Sequence, residues 1–256
     1  MFSFVYKNID FAHKLDKPSS PTEEYYKHIH SFYEILYFVT GKVTYTVESE
    51  SRPLCEGDIV FIPPGKYHFA AVDLSASYER YVLKLPESAV PDFVGKKLVS
   101  GSSFYGNSKK FGALFNSLDS YIGQYTDEET YTLFVADASK LMVMLCHETP
   151  HSGGKHNKLI NALIDYVDAN IYKPINTQML ADEFHYSKSF INIEFKKQMK
   201  IPIMQYVRSK KIMAAHQMIL GGAKKSDVAE MFGFETYSTF YRAYKQLIVD
   251  SGSEIV

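Results

Sequence analysis

The apolar positions of the first hundred residues recur in short runs with the period of β-strands. Residues 32–50 read FYEILYFVTGKVTYTVESE, two β-rich runs separated by Gly41 and Lys42. A further short strand ends in the turn Pro63-Pro64-Gly65, and the run YERYVLKL closes the series at residues 78–85. Short strands at close spacing, joined by Gly and Pro turns, predict a sandwich or a small barrel.

From about residue 109 the apolar period becomes that of helices. The segments FGALFNSLDSYIGQY and EETYTLFVADASKLMVMLCHE each carry a wide apolar face at helical spacing. Together they predict a helical hairpin over residues 107–148. Such faces need a partner, which is either the barrel or a second copy of the chain, and both alternatives stay open.

The polar, glycine-containing segment after the hairpin is interpreted as a linker over residues 149–156. Beyond it the chain is predicted to be wholly helical and to contain two similar units. Each unit has the pattern of a short helix, a turn and a second helix, the geometry in which the second helix enters the DNA major groove. The two units read NTQMLADEFHYSKSFINIEFKKQMK and SDVAEMFGFETYSTFYRAYKQ.

Capping and burial within the two units follow from residue type. Asn176, Ser187 and Ser226 are predicted to cap helices, and Gly233 supplies a turn with positive φ. Five apolar residues are predicted to face inward: Phe190, Ile191, Phe195, Phe240 and Tyr244. The 202–220 segment between the units predicts a helix of about 28 Å, a length suited to recognition helices about 34 Å apart, one turn of DNA.

Composition adds a charge asymmetry to this picture. The 256 residues are 46% hydrophobic, enough for a substantial core or two domains. Residues 1–154 carry 14 Lys+Arg and 19 Asp+Glu, a net of −5, whereas residues 155–256 carry 14 and 10, a net of +4. The two cysteines are far apart and favour a reducing compartment, and no apolar run approaches the ~20 residues of a membrane span. The expected protein is cytoplasmic, with a basic C-terminal half suited to nucleic acid.

The C-terminal hundred residues resemble the DNA-binding domain of AraC-type transcription regulators. Lys200 and Lys211 depart from that pattern, since the family usually has glycine and arginine there. The resemblance rests on Leu180-Ala181, Ser187, Phe195-Lys196-Lys197, Tyr206, Ala215, Val228-Ala229, Gly233-Phe234, Ser238, Phe240 and Tyr244-Lys245.

The resemblance implies which side chains meet DNA. Asn192 and Arg242 have the geometry to read adenine and guanine edges, whereas lysines at the ends of the recognition helices suit phosphates. The residues expected at the DNA surface are Lys188, Ser189, Asn192, Ile193, Lys196, Lys197, Tyr237, Ser238, Tyr241, Arg242 and Lys245.

The N-terminal half is similar to a cupin barrel, specifically to the sensory domain of AraC-type regulators. His28, His30 and Glu34 have the spacing of the first metal-binding cupin motif, and Gly57, Pro63, Gly65 and His68 follow the second. The cluster His28, His30, Glu34 and His68 is therefore expected to converge. Two or three histidines with a carboxylate suit Fe, Mn, Ni, Cu or Zn, but the same residues also suit a metal-free effector pocket.

These resemblances imply an α+β protein of two domains that regulates transcription in response to a small-molecule effector. The expected division is a barrel over 1–106, a hairpin over 107–148 with a dimerising role, a linker over 149–156 and a DNA-binding domain over 157–256. Double-stranded DNA, the effector and a second copy of the chain are the expected partners, and RNA polymerase is a candidate. No cofactor is required, although a divalent transition metal fits the barrel. A metal-dependent cupin enzyme, an isomerase or dioxygenase, is the alternative that the two helix-turn-helix units disfavour.

Overall fold

A computed structural model describes residues 2–17, 25, 27–99, 103–106, 109–151 and 157–250. The end of the expected linker (152–156), the start of the hairpin (107–108) and the C-terminal tail (251–256) lie outside the described residues. The strands are β1 Ser3–Tyr6, β2 Ile9–Asp16, β3 Tyr33–Thr40, β4 Val43–Val47, β5 Glu50–Pro53, β6 Ile59–Ile62, β7 His68–Val72, β8 Tyr78–Leu85 and β9 Phe104–Tyr105. The helices are α1 Asp92–Val99, α2 Lys109–Tyr121, α3 Asp127–Leu145, α4 Lys158–Ala169, α5 Thr177–Phe184, α6 Lys188–Met199, α7 Ile203–Leu220, α8 Lys225–Met231 and α9 Tyr237–Asp250. A sheet-rich N-terminal domain followed by a helical C-terminal domain confirms the α+β class.

Two antiparallel sheets face each other in the N-terminal domain. One has the strand order β1-β2-β8-β3-β6-β9, and the other has the order β5-β4-β7. Leu36 and Phe38 from the first sheet meet Val43 and Tyr45 from the second in a shared apolar core. The runs identified as strands in the sequence are strands in the structure, whereas β1, β2, β5, β7 and β9 were not among those runs.

Strand β3 is buried on both faces, because the six-stranded sheet separates two cores. Alternate side chains of a strand point to opposite faces, so Leu36 enters the space between the sheets while Ile35 and Tyr37 meet the helices outside. A strand enclosed in this way is apolar throughout, which explains why Glu34 is an exceptional residue within it.

The helical hairpin covers the outer face of this sheet. The two predicted helices are present as α2 and α3, and Thr126 and Glu129 form a reciprocal capping box at the start of α3. Leu114 and Phe115 on α2 are 7% and 0% exposed and pack in the same core as Ile35 and Tyr37 of β3. The inner faces of the hairpin are therefore satisfied within one chain. A dimer interface, which stays a prediction, has to use another surface of the hairpin.

The C-terminal domain is assembled around α7. Apolar residues on several sides of this helix are buried, among them Ile203, Val207, Ile212 and Ala215. Its neighbours in the core come from both helix-turn-helix units and also from the barrel. A helix buried on most sides is the centre of its domain. Helix α7 thus holds the α5–α6 unit and the α8–α9 unit together.

Two predicted caps are confirmed and one is wrong. The Asn176 side chain accepts from the Met179 amide, and the Ser187 hydroxyl accepts from the Phe190 amide. Ser226 is not a cap: α8 begins earlier, with Lys224 at the N-cap and no side-chain hydrogen bond there. The Ser226 hydroxyl instead donates to the adjacent Asp227 carboxylate.

Lys211, which stands where the AraC pattern usually has arginine, connects two parts of the C-terminal domain through hydrogen bonds. It is buried, and its Nζ donates to the Lys173 carbonyl at 2.8 Å and to the Phe232 carbonyl at 2.9 Å. Phe232 ends α8, so Lys211 ties the second helix-turn-helix unit to the segment after α4. Burial lowers the pKa of the Lys211 ammonium.

Candidate functional sites

The four residues His28, His30, Glu34 and His68 converge in the barrel, as their spacing predicted. Their nearest ligand atoms all lie within 4.8 Å of one another. Glu34 is on β3, His68 begins β7, and His28 pairs with His68 through two backbone hydrogen bonds of 3.0 and 3.1 Å. His28 and His30 precede β3, which begins only at Tyr33, so this pairing and not a shared strand brings them beside Glu34.

Backbone carbonyls fix the tautomers of two of these histidines. His30 Nδ1 lies 2.9 Å from the Phe32 carbonyl oxygen, and His68 Nδ1 lies 3.0 Å from that of Lys66. A carbonyl only accepts, so each Nδ1 carries the proton and each neutral ring keeps a lone pair on Nε2. Within the part of the chain that the structure describes, neither buried Nε2 atom has a hydrogen-bond partner.

The cluster combines neutral imidazoles with one carboxylate. Burial lowers the pKa of His30, which Glu34 opposes in part, and burial with the nearby histidines lowers that of His68 well below its ordinary value. Burial alone would raise the pKa of the Glu34 carboxyl, whereas positive charge shared with the adjacent histidines lowers it, so an ionised Glu34 beside neutral rings is favoured when a cation lies between them. At neutral pH the site therefore presents lone pairs and one negative charge, an arrangement that attracts a cation.

The first recognition helix, α6, exposes most of the residues expected to meet DNA. Lys188, Ser189 and Lys196 are exposed, and Ile193 is 64% exposed, which is unusual for an aliphatic residue. Asn192 is half-buried, and its Nδ2 donates to the Lys188 carbonyl of its own helix at 3.0 Å. Reading an adenine edge would require that side chain to leave this bond.

The second recognition helix, α9, exposes an aromatic and basic surface. Tyr237 and Tyr241 stack with ring centroids 5.9 Å apart. Arg242 is exposed, and its Nε donates to the Ser238 carbonyl at 3.4 Å. Ser238 and Lys245 are exposed on the same helix.

The turn before each recognition helix has a left-handed residue. Gly233 has φ of +72°, as predicted, whereas the first unit uses His185 with φ of +58°. Lys200 has φ of +60° at the end of α6, in the position where the family usually has glycine. His185 and Lys200 thus adopt a left-handed conformation that glycine would adopt with less strain.

The prediction that Phe190 faces inward is wrong. It was expected to face inward beside Ile191 and Phe195, but it is 42% exposed and stacks on Tyr186 with centroids 4.8 Å apart. The inward stripe of α6 is Ile191, Phe195 and Met199, spaced by four residues. That spacing places Phe190 about 100° from the stripe, a signal that was available in the sequence. Both recognition helices thus begin beside an exposed pair of stacked aromatic rings.

Comparison with known proteins assigns both domains. Residues 18–135 match the family model described as an AraC-like ligand binding domain, and residues 180–254 match a helix-turn-helix domain model. The chain belongs to the AraC family of transcription regulators. It is a DNA-binding regulator with an N-terminal ligand-binding domain, and the described part of this family member contains no helix long and apolar enough to cross a membrane.

Known proteins match either most of this chain or about a third of it. The probable transcriptional regulator LumQ of Photobacterium leiognathi is 25% identical over 228 residues, covering 86% of this chain and 87% of the relative. The multiple antibiotic resistance protein MarA of Escherichia coli (strain K12) is 29% identical over 91 residues, 34% of this chain and 68% of MarA. The crystal structure of ToxT from Vibrio cholerae O395 aligns over 94% of this chain and 94% of its own, with 11% identity and a TM-score of 0.39.

Proposed function

We propose that His28, His30, Glu34 and His68 form the input site of this regulator. The ligand class that fits them is a divalent transition metal, bound alone or as the anchor of a small effector. A single observation carries the proposal. Two backbone carbonyls hold His30 and His68 so that both Nε2 lone pairs are buried beside the Glu34 carboxylate. Imidazole nitrogens and a carboxylate are the donors that such metals take in proteins.

The packing of the rings favours an ion over an organic molecule within the cluster itself. The His28 and His68 ring centroids are 4.0 Å apart, and those of His30 and His68 are 4.7 Å apart. Two atoms bound to one zinc-sized ion lie at most about 4.2 Å apart, so the observed spread of 4.8 Å requires only a slight contraction. A larger effector would reach the site through His28, which is the one partly exposed member.

A bound cation would also relieve an unfavourable contact between His30 and Glu34. His30 Nε2 lies 3.3 Å from a Glu34 carboxylate oxygen. When His30 is neutral with its proton on Nδ1, both atoms are acceptors and their approach is unfavourable. A cation shared by the two atoms turns that contact into an attraction. The carbonyls of Phe32 and Lys66 would then act as the outer partners that orient metal-binding imidazoles.

On the output side, we propose that α6 and α9 enter successive major grooves. Asn192 and Arg242 read base edges, and the exposed Ile193 contacts a thymine methyl group. Lys196, Lys197 and Lys245 bind phosphates and supply affinity without sequence preference. The remaining expected contacts, Lys188, Ser189, Tyr237, Ser238 and Tyr241, line the same exposed faces.

Metal titration of protein purified without a histidine tag tests the input site. After chelation, the chain is expected to bind about one Zn²⁺, Mn²⁺ or Ni²⁺ per molecule by calorimetry. His30→Ala and His68→Ala should each lose at least about 10-fold in affinity, since even outer partners of a metal site contribute that much. His147→Ala, which removes an exposed histidine, is the matched control. Metal-free His30→Ala should keep the wild-type affinity for DNA and lose its response to metal.

One result would move the protein to the enzyme class. Stoichiometric metal together with a substrate turnover that His30→Ala abolishes would identify a metal-dependent cupin isomerase or dioxygenase. We infer sensing instead of catalysis because the barrel is joined to two helix-turn-helix units, which a catalytic barrel does not need.

We also propose that the regulator acts as a homodimer through the outer face of α3, and that RNA polymerase is a further partner. Val143 is exposed on that face, whereas Leu114 is buried against the barrel. Val143→Glu should therefore convert dimer to folded monomer in sedimentation, and Leu114→Glu should unfold the domain. A wild-type chain that sediments as a monomer at micromolar concentration would contradict the dimer.

A further inference from the structure

The barrel holds the DNA-binding domain at the rim that carries the histidine cluster. Segments 27–32 and 63–68 of the barrel lie against the C-terminal helices, and Ile29 and Tyr67 belong to the core of the DNA-binding domain. The Gly65 carbonyl accepts from Lys210 Nζ at 3.0 Å, and the Ser31 carbonyl accepts from Gln217 Nε2 at 3.0 Å. Both donors belong to α7, the helix between the two helix-turn-helix units.

In segments 27–32 and 63–68, some side chains enter the histidine cluster and their neighbours in the chain pack on the helical domain. His28, His30 and His68 turn into the barrel, whereas Ile29 and Tyr67, which lie between or beside them, pack on the helical domain. Gly65 is bonded through its amide to the His30 carbonyl at 2.8 Å. A displacement of a histidine toward a bound ion therefore moves a residue that contacts the other domain.

Glu48 places a buried charge at the centre of this contact. Its carboxylate accepts from the Tyr206 hydroxyl at 2.7 Å and from the Tyr67 amide at 3.1 Å, and it lies 3.6 Å from Lys210 Nζ. Lys210 Nζ also contacts Asp168 of α4 at 2.8 Å. Burial alone would lower the pKa of Lys210, but Glu48 and Asp168 raise it, so the ammonium stays charged between the domains.

The backbone at Glu48 is strained, which is a separate observation. Its φ is +51°, a left-handed conformation that glycine or asparagine adopts more readily. Such strain persists where the surrounding structure enforces it, and it concentrates in switch regions and binding sites. Here the strained turn between β4 and β5 points a carboxylate at α7 of the other domain.

We propose that Glu48, Tyr206 and Lys210 form an interdomain contact through which occupancy of the histidine cluster controls the DNA-binding domain. The inference rests on the proposed input site. An ion contracts the cluster and draws segments 27–32 and 63–68 inward, which weakens their contact with α7. Helix α7 joins both units, so the change reaches α6 and α9 together, while their recognition faces are exposed in the docked arrangement.

Thermodynamic linkage makes the proposal testable from the metal side. If metal binding weakens docking, then loss of docking strengthens metal binding by the same factor. Tyr206→Phe deletes one hydroxyl and keeps the ring that packs on Phe195. Glu48→Asn removes the carboxylate at a position where asparagine accepts the left-handed backbone. Neither residue is a ligand of the proposed metal.

The experiment uses the full chain, Zn²⁺ as the probe and a duplex recovered by the protein from a random-sequence pool. Wild type should show a change in DNA affinity of about 5-fold or more on adding Zn²⁺, within the usual range of allosteric coupling. Tyr206→Phe and Glu48→Asn should bind Zn²⁺ more tightly by a comparable factor and lose most of the DNA response. Tyr172→Phe and Glu56→Asn alter exposed residues and should behave like wild type.

The outcomes separate this inference from the proposed input site. Variants that bind Zn²⁺ with wild-type affinity and keep the full DNA response would overturn the coupling and leave the input site intact. A wild-type chain that binds no Zn²⁺, Mn²⁺ or Ni²⁺ would overturn both. If a variant melts at a lower temperature than its control, the Zn²⁺ titration is repeated well below that midpoint, where the folded fraction is complete.

Discussion

His68 in the barrel and Arg242 on α9 show two ways of preparing a polar group for binding. His68 is fully buried, and the Lys66 carbonyl sets its tautomer before any ligand arrives. Arg242 is exposed, and it has one weak contact, at 3.4 Å, within its own helix. The histidine is held in place by the fold, whereas the arginine is held by no more than its own helix until the proposed contact with DNA forms.

The difference determines what each site can tolerate. A buried lone pair without a partner is costly, so the histidine cluster requires its neighbours to be placed by several strands at once. An exposed arginine is solvated in the free protein and gains its specificity only in a bidentate contact with a base. A change of pH should therefore alter the stability and metal affinity of the barrel. A change of DNA sequence or of salt concentration should alter the DNA affinity of the recognition helices.

Acidification should give the largest difference in behaviour between the histidine cluster and the recognition helices. Burial lowers the pKa of His30 and His68 below the value in an unfolded chain, which is about 6.5. Below that pH the unfolded chain takes up protons that the folded barrel does not, so the free energy of unfolding decreases as pH falls. The full contribution of the two neutral histidines to stability is present above that pH. Protons also compete for Nε2, and Zn²⁺ affinity should be largely lost by about pH 5.

Thermal melts of metal-free protein between pH 7.5 and 5, at constant ionic strength, measure this effect. A variant carrying His30→Gln and His68→Gln should show a smaller dependence on pH than wild type. DNA binding by the metal-free chain should change little over the same range, because His30 and His68 lie in the barrel and not on the exposed faces of α6 and α9. A barrel whose melting temperature is the same at pH 5 and pH 7.5 would contradict the neutral, buried histidines.

Arg242→Ala should give the next largest effect, and only on the DNA side. Loss of a bidentate guanine contact should weaken binding to the selected duplex by about 1–3 kcal/mol and binding to random DNA hardly at all. Ser238→Ala removes a smaller side chain from the same helix and serves as a comparison. Competition between selected and scrambled duplexes measures both losses, and equal losses for Arg242→Ala would refute base reading.

The sequence predicted the exposed faces of the recognition helices better than the barrel site, for a physical reason. The resemblance to the AraC family supplied the expected contacts, and helical spacing then determines that residues so placed share an exposed face. The prediction failed at Phe190, where residue type was allowed to outweigh the spacing of Ile191 and Phe195. It failed at Ser226 because a cap depends on where the helix begins, and Lys225 already lies inside α8.

The barrel cluster could be predicted as a set of residues but not as a geometry. The spacing of His28, His30 and Glu34 indicated convergence, yet the tautomers depend on the carbonyls of Phe32 and Lys66, which carry no sequence signal. Glu48 gave no signal either. Its partners Tyr206 and Lys210 lie more than 150 residues away in the chain, and only the packing of two domains brings them together.

Removing the N-cap of α5, the helix that precedes the first recognition helix, should have a smaller effect. Asn176→Ala removes the acceptor for the Met179 amide at the start of α5 and should cost about 1 kcal/mol of stability. Ser226→Ala should change stability by less than about 0.5 kcal/mol, since its hydroxyl faces only Asp227. Denaturant titrations of both variants measure the difference. A larger loss for Ser226→Ala would mean that α8 is capped by that residue after all.

Lys196→Ala should have the smallest effect, and its signature lies in the salt dependence. Lys196 is exposed in the last turn of α6, a place from which a long cationic side chain meets a phosphate and not a base edge. A phosphate contact releases a bound counterion, so its loss should lower the slope of log affinity against log salt by about 1. The loss in affinity should be the same for the selected duplex and for random DNA, because phosphates are present in both.

Binding measured at several salt concentrations separates this behaviour from that of Arg242→Ala, whose loss should depend on sequence and leave the slope nearly unchanged. The two variants therefore control for each other on the same pair of duplexes. A sequence-dependent loss for Lys196→Ala would instead place its ammonium group in the groove and extend the reading surface by one turn of α6.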